Sequence, residues 1–332
     1  MSTNDNDPHS DPEKCMEILL RVPLTLHYLT EGNANVIYSI APNTTDPDLA
    51  LHDHCCVLRM RKDLPTTRPT LVNMTAIRDR ITPLFGPEHV HNLMPKALYP
   101  LTENTLQQAD EILRKLDKHL AESKAGSRVP AGRGPGHPPL NEEPHAVLMP
   151  NLRHGDHTLF HEFKPKWLHQ SPSAPAGARR CRTCATNALK RSKGGKKGKG
   201  DSGFCPLDLF SDDRAIIKGI LQKIDPEHGD SDWFIDAFLQ QIQPVIQHLA
   251  TLQAEHNTEV LKTPAILAHT TMLLRWRRLK VAHVKLADLD LKLMTDENLK
   301  KWAKMENELI SSGVYTSTAM PGSACALERQ LD

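Results

Sequence analysis

The chain has 332 residues, enough to bury one or two cores, and its 41 Lys and Arg against 40 Asp and Glu leave a formal charge of +1. That balance averages an acidic N-terminus against a basic block near 179–199, so by itself it selects no partner. The sequence lacks a run of about eighteen apolar residues, which excludes a membrane-spanning helix. The polar start Met1-Ser2-Thr3-Asn4-Asp5 is unlike a secretory signal, and seven cysteines at irregular spacing do not make a disulfide scaffold. A reducing cytosolic or nuclear compartment follows.

Residues 1–22 read as a solvated tail. Leu24–Leu29 and Val36–Ile40 read as strands joined by the small-residue turn Glu31-Gly32-Asn33-Ala34-Asn35. A third strand, Cys55–Arg61, puts Arg59 and Arg61 on one face. Residues 102–122 form an amphipathic helix pattern with Leu106, Leu113, Leu116 and Leu120 near one face and Thr102 as N-cap. Residues 125–144 are rich in Gly, Pro, Arg and Asn and read as a flexible loop. A strand then starts at His145 and ends at Pro150.

The stretch 162–210 concentrates cations. Lys164 and Lys166 alternate as along a strand, Arg182 and Lys190 recur at helical spacing, and 192–203 reads as a flexible basic loop. Beyond it, Ser211 is placed to cap a helix through Ile216, Ile220 and Ile224. Another helix carries Phe234, Phe238, Ile242, Leu249 and Leu252, kinked or split at Pro244. A third helical pattern starts at Thr263-Pro264. Lys280–Leu291 alternates like a strand leading into Asp288-Leu289-Asp290, and a final helix near 295–311 stops at Gly313.

Several of these features can carry chemistry. Small residues between two strands let backbone N–H groups approach phosphate oxygens, although a plain hairpin turn has the same composition. Asp288 and Asp290 are hard oxygen donors suited to magnesium, and a surface ion-pair cluster has the same composition. Cys181 and Cys184 have zinc-ligand spacing but need a second pair; Cys205 and His169 are unpaired, and spacing does not assemble four ligands from them. The run from Lys190 to Lys199 fits a nuclear signal, a nucleic-acid patch or a solvated loop.

Taken in order, the motifs resemble the inositol-pentakisphosphate 2-kinase family in its fungal form. They are Tyr28–Ile40, Val57–Leu64 (V-L-R-x-R-K-D-L), Val147–Leu152, Glu162–Leu168 (E-F-K-P-K-W-L), Ser171–Lys190 with its C-R-T-C, Cys205–Phe210 and Leu286–Lys292 (D-L-D-L-K within it). The final helix with Gly313-Val314-Tyr315 also looks similar. The ordered set covers most of residues 24–316, and E-F-K-P-K-W-L followed by C-R-T-C is its most specific part.

The resemblance implies an α+β, two-lobed inositol-polyphosphate kinase fold distantly akin to protein kinases. It implies an N-lobe over 23–150, a C-lobe over 151–318 and a tail over 319–332. It implies transfer of the ATP γ-phosphate to the 2-hydroxyl of inositol 1,3,4,5,6-pentakisphosphate, giving inositol hexakisphosphate (phytate), with ATP and Mg2+ required. By position, Gly32, Asn33, Ala34, Asn35 and Arg59 would meet the nucleotide phosphates, and Met149 and Asn151 would lie at the adenine hinge. Lys164, Lys166, Arg182, Lys190 and Lys292 would grip substrate phosphates. Asp288 would be catalytic and, with Asp290, hold magnesium. A monomer in nucleus and cytoplasm is the corresponding expectation. A substrate carrying on the order of eight to ten negative charges needs cations from several elements, which these residues supply.

One position departs from the family. Its motif T-x-[RK]-D-C-[ST] contains the candidate general base, and aligning its start on Thr270 sets Leu273 where the Asp should be. Two explanations remain open: lost or weakened catalysis, or a local error over 271–280 in the gene product. The alternative function is therefore a catalytically impaired inositol-polyphosphate binder on the same fold. A nucleic-acid binder using 179–199 ranks below both, because that block has few aromatics for base stacking.

Overall fold

The computed structural model describes residues 12–65, 67–122, 138–153, 158–194, 203–255, 271–277, 280–290, 295–317 and 325–330. The chain divides into two compact units, one of residues 1–79 and 94–158, the other of 80–93 and 159–332. Among the described residues no helix is long and apolar enough to cross a membrane. The architecture is mixed α and β, with an antiparallel five-stranded sheet, as expected for an α+β chain.

In the first unit, α1 (Pro12–Leu19) precedes β1 (Leu24–Glu31), β2 (Asn35–Pro42), β3 (Cys56–Arg61), β4 (Ala97–Pro100), α2 (Glu103–Glu122) and β5 (His145–Pro150). The strand order is β1-β2-β3-β5-β4. Val36, Tyr38 and Ile40 are fully buried and alternate with half-buried neighbours, the period-two pattern of a sheet with one face in the core. Across from them Leu58, Met60 and Leu148 fill the same layer, closed by Cys15, Met16 and Leu19 of α1 and Ala109 and Leu113 of α2. Each of the Val, Leu, Ile and Met side chains contributes about 1.5–3 kcal/mol when fully buried. Thr102 accepts from the Thr105 N–H at 3.2 Å, so it caps α2 as its sequence suggests.

α1 lies inside the stretch that reads as a solvated tail. Three apolar side chains at 15, 16 and 19 form a one-sided stripe too short to stand out amid polar flanks. The sulfur atoms of Cys15 and Cys55 meet between α1 and the chain entering β3. Burial pushes the neighbouring Cys56 thiol up to about 12. Residues 125–137 of the expected 125–144 loop lie outside the described residues; Leu140, past them, is buried and bridges to Lys62.

The second unit holds a three-stranded sheet, β6 (Thr158–Phe163), β7 (Thr271–Arg277) and β8 (Lys280–Ala287), in that order. Helices that bear on the site are α3 (Arg182–Ser192), α4 (Arg214–Ile224), α5 (Asp232–Ala237), α6 (Gln243–Glu255), α7 (Asp296–Ser311) and α8 (Ala326–Arg329). A π-helical turn over Phe238–Ile242 joins α5 to α6 just before Pro244, whose missing N–H and ring demand such a local adjustment. Asp213, not Ser211, caps α4 by accepting from the Ala215 N–H at 2.8 Å; Ser211 accepts from the Asp213 N–H instead. Gly313, at φ 69°, follows α7 as the left-handed residue that ends the helix. The 319–332 tail is not wholly free: Cys325 is fully buried and α8 follows it. The helical pattern starting at Thr263-Pro264, and residues 195–202 of the basic loop, lie outside the described residues.

Candidate active site

The residues expected to meet a nucleotide lie along β3 and its neighbours in the first unit, with the Gly32–Asn35 turn at one end of β3 and Asn151 at the other. Cross-strand partners occupy one face of a sheet, and β3 pairs Arg59 with Ile37 and Val147, and Val57 with Met149. Arg59 and Met149 therefore stand on the sheet face opposite the α1–α2 core, together with Asn35, which pairs with Arg61. Arg61 is committed: it is ion-paired with Glu143 and donates to Thr67 Oγ1 at 2.8 Å. The Gly32–Asn35 turn is held by backbone bonds, the Gly32 N–H to Asn35 O at 2.9 Å and the Lys62 N–H to Ala34 O at 2.9 Å. Lys62 Nζ also donates to Gly32 O and pairs with Glu31, each at 2.8 Å, and both charged groups are wholly buried. The turn is thus fixed from below by a residue immediately after β3. A Cβ at Gly32 would have nothing within 4 Å and its φ is not positive, so neither crowding nor backbone conformation demands glycine there.

At the other end of β3, Asn151 donates through Nδ2 to His54 O at 2.9 Å, and its N–H to Cys55 O at 2.8 Å. His54 has φ 59°. The described non-glycine residues with positive φ are His54, Lys166 and Asp288, and every one lies at or beside a sequence-derived candidate. Such residues cost on the order of 1–3 kcal/mol and persist where surrounding contacts enforce them.

In the second unit Lys164 Nζ meets Asp288 Oδ2 at 2.8 Å, with side chains 37% and 40% exposed. Neither lies on a regular strand. β6 ends at Phe163 before Lys164-Pro165-Lys166, and Lys166 turns left-handed at φ 64°. β8 ends at Ala287, and Asp288 at φ 60° breaks the alternation that would have aligned it with Asp290. The strand-like alternation of both pairs therefore does not exist as a strand; proline, with no N–H for a ladder, accounts for the first departure. The strap around Lys166 is held by the buried Gln253 of α6, which accepts from the Leu168 N–H at 2.8 Å and donates to Lys166 O at 3.1 Å.

Arg182 and Lys190 diverge. Eight residues along a helix leave two side chains about 80° apart, so helical spacing does not place them on one line. Arg182 is buried: it ion-pairs with Glu306 at 2.7 Å and stacks over the Trp167 ring at 4.6 Å, while Lys190 is exposed. Glu306 also accepts from Ser171 Oγ at 2.7 Å and Tyr315 Oη at 2.8 Å. Burial, then the Glu306 charge, pushes the Tyr315 phenol well above its usual range. Arg182 thus braces the 162–171 strap against α3 and α7.

Asp290 is half-buried, and Lys292 lies outside the described residues. β7 pairs antiparallel with β8, setting Leu273 across from Lys285 and Thr271 across from Ala287.

Sequence comparison decides what this arrangement belongs to. The family model for inositol-pentakisphosphate 2-kinase matches residues 28–269. The inositol-pentakisphosphate 2-kinase of Yarrowia lipolytica is 30% identical over 312 residues, covering 90% of this chain and 94% of that protein.

The chain belongs to the inositol-pentakisphosphate 2-kinase family.

Membership supports a kinase-type transferase of inositol phosphate metabolism. The model match contains the Gly32–Asn35 turn, Arg59, the 149–151 segment, the Lys164–Lys166 strap and α3, and it ends before β7 and Asp288. What ties Asp288 to the family's strap is its ion pair with Lys164. Sequence reasoning missed Lys62, Gln253 and Glu306 as supports. Lys62 had one signal, its place directly after the Arg59-Met60-Arg61 run; Gln253 and Glu306 look like ordinary polar positions of helices.

Proposed function

We propose that this chain transfers the γ-phosphate of ATP to the 2-hydroxyl of inositol 1,3,4,5,6-pentakisphosphate, forming inositol hexakisphosphate. The observation that carries the reading is the Lys164–Asp288 contact, which sets a cation of the family strap against a carboxylate at the end of β8. An ion pair this exposed contributes about 0–1 kcal/mol, so a phosphate can take Lys164 and a cation can take Asp288 at little cost. Asp288 and Asp290 offer carboxylate oxygens, the donors that magnesium favours. When bound there, magnesium would neutralise charge on the transferring phosphate.

The remaining roles follow from the residues. The Gly32–Asn35 turn presents backbone N–H groups to the nucleotide phosphates, with Arg59 on the same sheet as a cation for them. The 149–151 segment serves as adenine hinge. Lys164, Lys166 and Lys190, with Lys292, supply charge for substrate phosphates, and Arg182 holds the strap that carries the first two. Phosphoryl transfer needs mainly positioning and electrostatic stabilisation, which these groups provide. The reading carries with it two lobes distantly akin to those of protein kinases, a fungal source, a monomer, and residence in nucleus and cytoplasm.

The alternative, an inositol-polyphosphate binder without turnover, rests on Leu273. In the β7–β8 register Thr271 stands across from the residue preceding Asp288, and position 273 lies about 7 Å further along β7. Incubation with labelled ATP and inositol pentakisphosphate tests the proposal: labelled hexakisphosphate supports it, and tight substrate binding without product would favour the binder.

A further inference from the structure

His54 stands just before β3 and is tied to β1, to β2 and to the segment that follows β5. Its N–H donates to Ile40 O at 2.8 Å, and its Nδ1 lies 2.7 Å from Ser39 Oγ. Its ring meets the His27 ring edge-on, with centroids 5.3 Å apart. Its carbonyl accepts from Asn151 Nδ2 at 2.9 Å. These ties hold it at φ 59°, a left-handed conformation that residues with a Cβ seldom adopt. We infer that His54 is a positioning residue for the nucleotide. It fixes Asn151, and with it the 149–151 segment, for the base of ATP, a role that rests on the proposed kinase activity.

Three features separate this residue from an ordinary turn histidine. First, His27 pairs with Ser39, Ser39 with Val57, and Val57 with Met149, one row across β1, β2, β3 and β5. Cross-strand partners share a face, and Val57 is two residues from Arg59, so the row lies on the Arg59 face. The His54 ring is held at the His27–Ser39 end of the row, while its carbonyl meets Asn151 just past the Met149 end. Second, the polar atoms of the Asn151 side chain are engaged: Nδ2 with His54 O, and Oδ1 with the Arg153 N–H at 3.2 Å. The Asn151 N–H goes to Cys55 O at 2.8 Å. Both links from residue 151 to the β3 entry thus land on consecutive carbonyls, and the backbone at His54 sets the direction of the first. Third, a turn that needs only a left-handed residue is better served by Gly or Asn. Histidine adds a ring, whose contacts with Ser39 and His27 enforce the conformation.

Pro150 has no N–H, so the segment cannot be held by a donor at that residue, and Asn151 supplies the link. A segment already fixed presents its backbone to the base without first being ordered, and ordering on binding would lower affinity. Lys164, Lys166 and Lys190, the cations proposed for substrate phosphates, belong to the second unit. Loosening residue 151 should therefore act on the nucleotide and spare the inositol phosphate.

Calorimetry of the full-length protein is the test, with the magnesium complex of a non-hydrolysable ATP analogue and, separately, with inositol pentakisphosphate. His54→Val, whose branched Cβ resists the left-handed region, should weaken nucleotide binding about tenfold and change inositol phosphate binding by less than about twofold. His54→Gly, which takes positive φ freely, should recover most of that loss, and Asn151→Ala should match His54→Val. If His54→Val does not fold, Asn151→Ala set against His54→Gly decides. The inference is overturned if the disrupting variant binds the nucleotide as well as the unaltered protein does, or weakens both ligands alike. It is also overturned if His54→Gly is as weak as that variant. Absence of nucleotide binding by the unaltered protein would overturn the kinase activity itself, and this inference with it.

Discussion

Lys164 and Asp288 meet at 2.8 Å across 124 residues of chain, each just past the end of a strand. Because the pair is more than a third exposed, it adds little to stability. Its replacement should therefore separate catalysis from folding. Asp288→Asn is expected to lower kcat by roughly a hundredfold or more with an unchanged melting temperature. Lys164→Ala should raise KM for the inositol phosphate roughly tenfold or more, the scale of a lost charged hydrogen bond. Steady-state kinetics beside thermal denaturation checks both.

The buried pair Lys62–Glu31 behaves differently. Removing one partner strands a charge under the Gly32–Asn35 turn, so Lys62→Met should destabilise the protein by about 3–5 kcal/mol. Glu31→Leu combined with Lys62→Met should recover much of that loss, because two apolar groups leave no uncompensated charge. Urea denaturation of the single and double variants measures the difference.

Gln253 tests the strap. Gln253→Leu deprives the buried Leu168 N–H and Lys166 O of their side-chain partner and should cost about 1–3 kcal/mol. With the left-handed Lys166 no longer enforced, KM for the inositol phosphate should rise more than KM for ATP.

Acid should weaken the second unit before carboxylates protonate. Burial holds His161 below its usual value against the opposing Asp225 charge, and burial with His89 does the same to His248. The unfolded histidines, near pH 6.5, then bind protons more readily than the folded ones. Stability is complete above about pH 6.5 and falls as pH drops from there toward the folded values. Asp225 is pulled below its usual range: burial opposes the shift, and hydrogen bonds from His228 and from the Glu227 and His228 backbone outweigh it. It adds a further loss below about pH 4, as pH falls toward its depressed value. His248 stacks on His89 and meets Phe85 edge-on; urea midpoints from pH 7.5 to 5 should decline, and His248→Phe should flatten the slope.

Much of the first unit was legible because its strands alternate cleanly: Val36, Tyr38 and Ile40 announce both the strand and its buried face. α1 was hidden by its length and polar flanks. The site residues were legible as residue types in order, not as geometry. Periodicity put Lys164 with Lys166 and Asp288 with Asp290 on shared faces, but Pro165 and two left-handed residues broke the regular backbone there. Spacing grouped Arg182 with Lys190, yet only burial reveals that Arg182 faces Trp167 and Glu306. Cys181 and Cys184 meet their second pair in Cys205 and Cys325, the latter from the far end of the chain, which no local spacing rule reaches.

Phosphorylation at the 2-hydroxyl is open to a direct assay: chromatography of products formed from labelled ATP and inositol 1,3,4,5,6-pentakisphosphate with magnesium. Labelled inositol hexakisphosphate is expected from the unaltered protein, with a loss of roughly a hundredfold or more for Asp288→Asn. Absence of hexakisphosphate above a no-enzyme control, from protein shown to be folded, would contradict it.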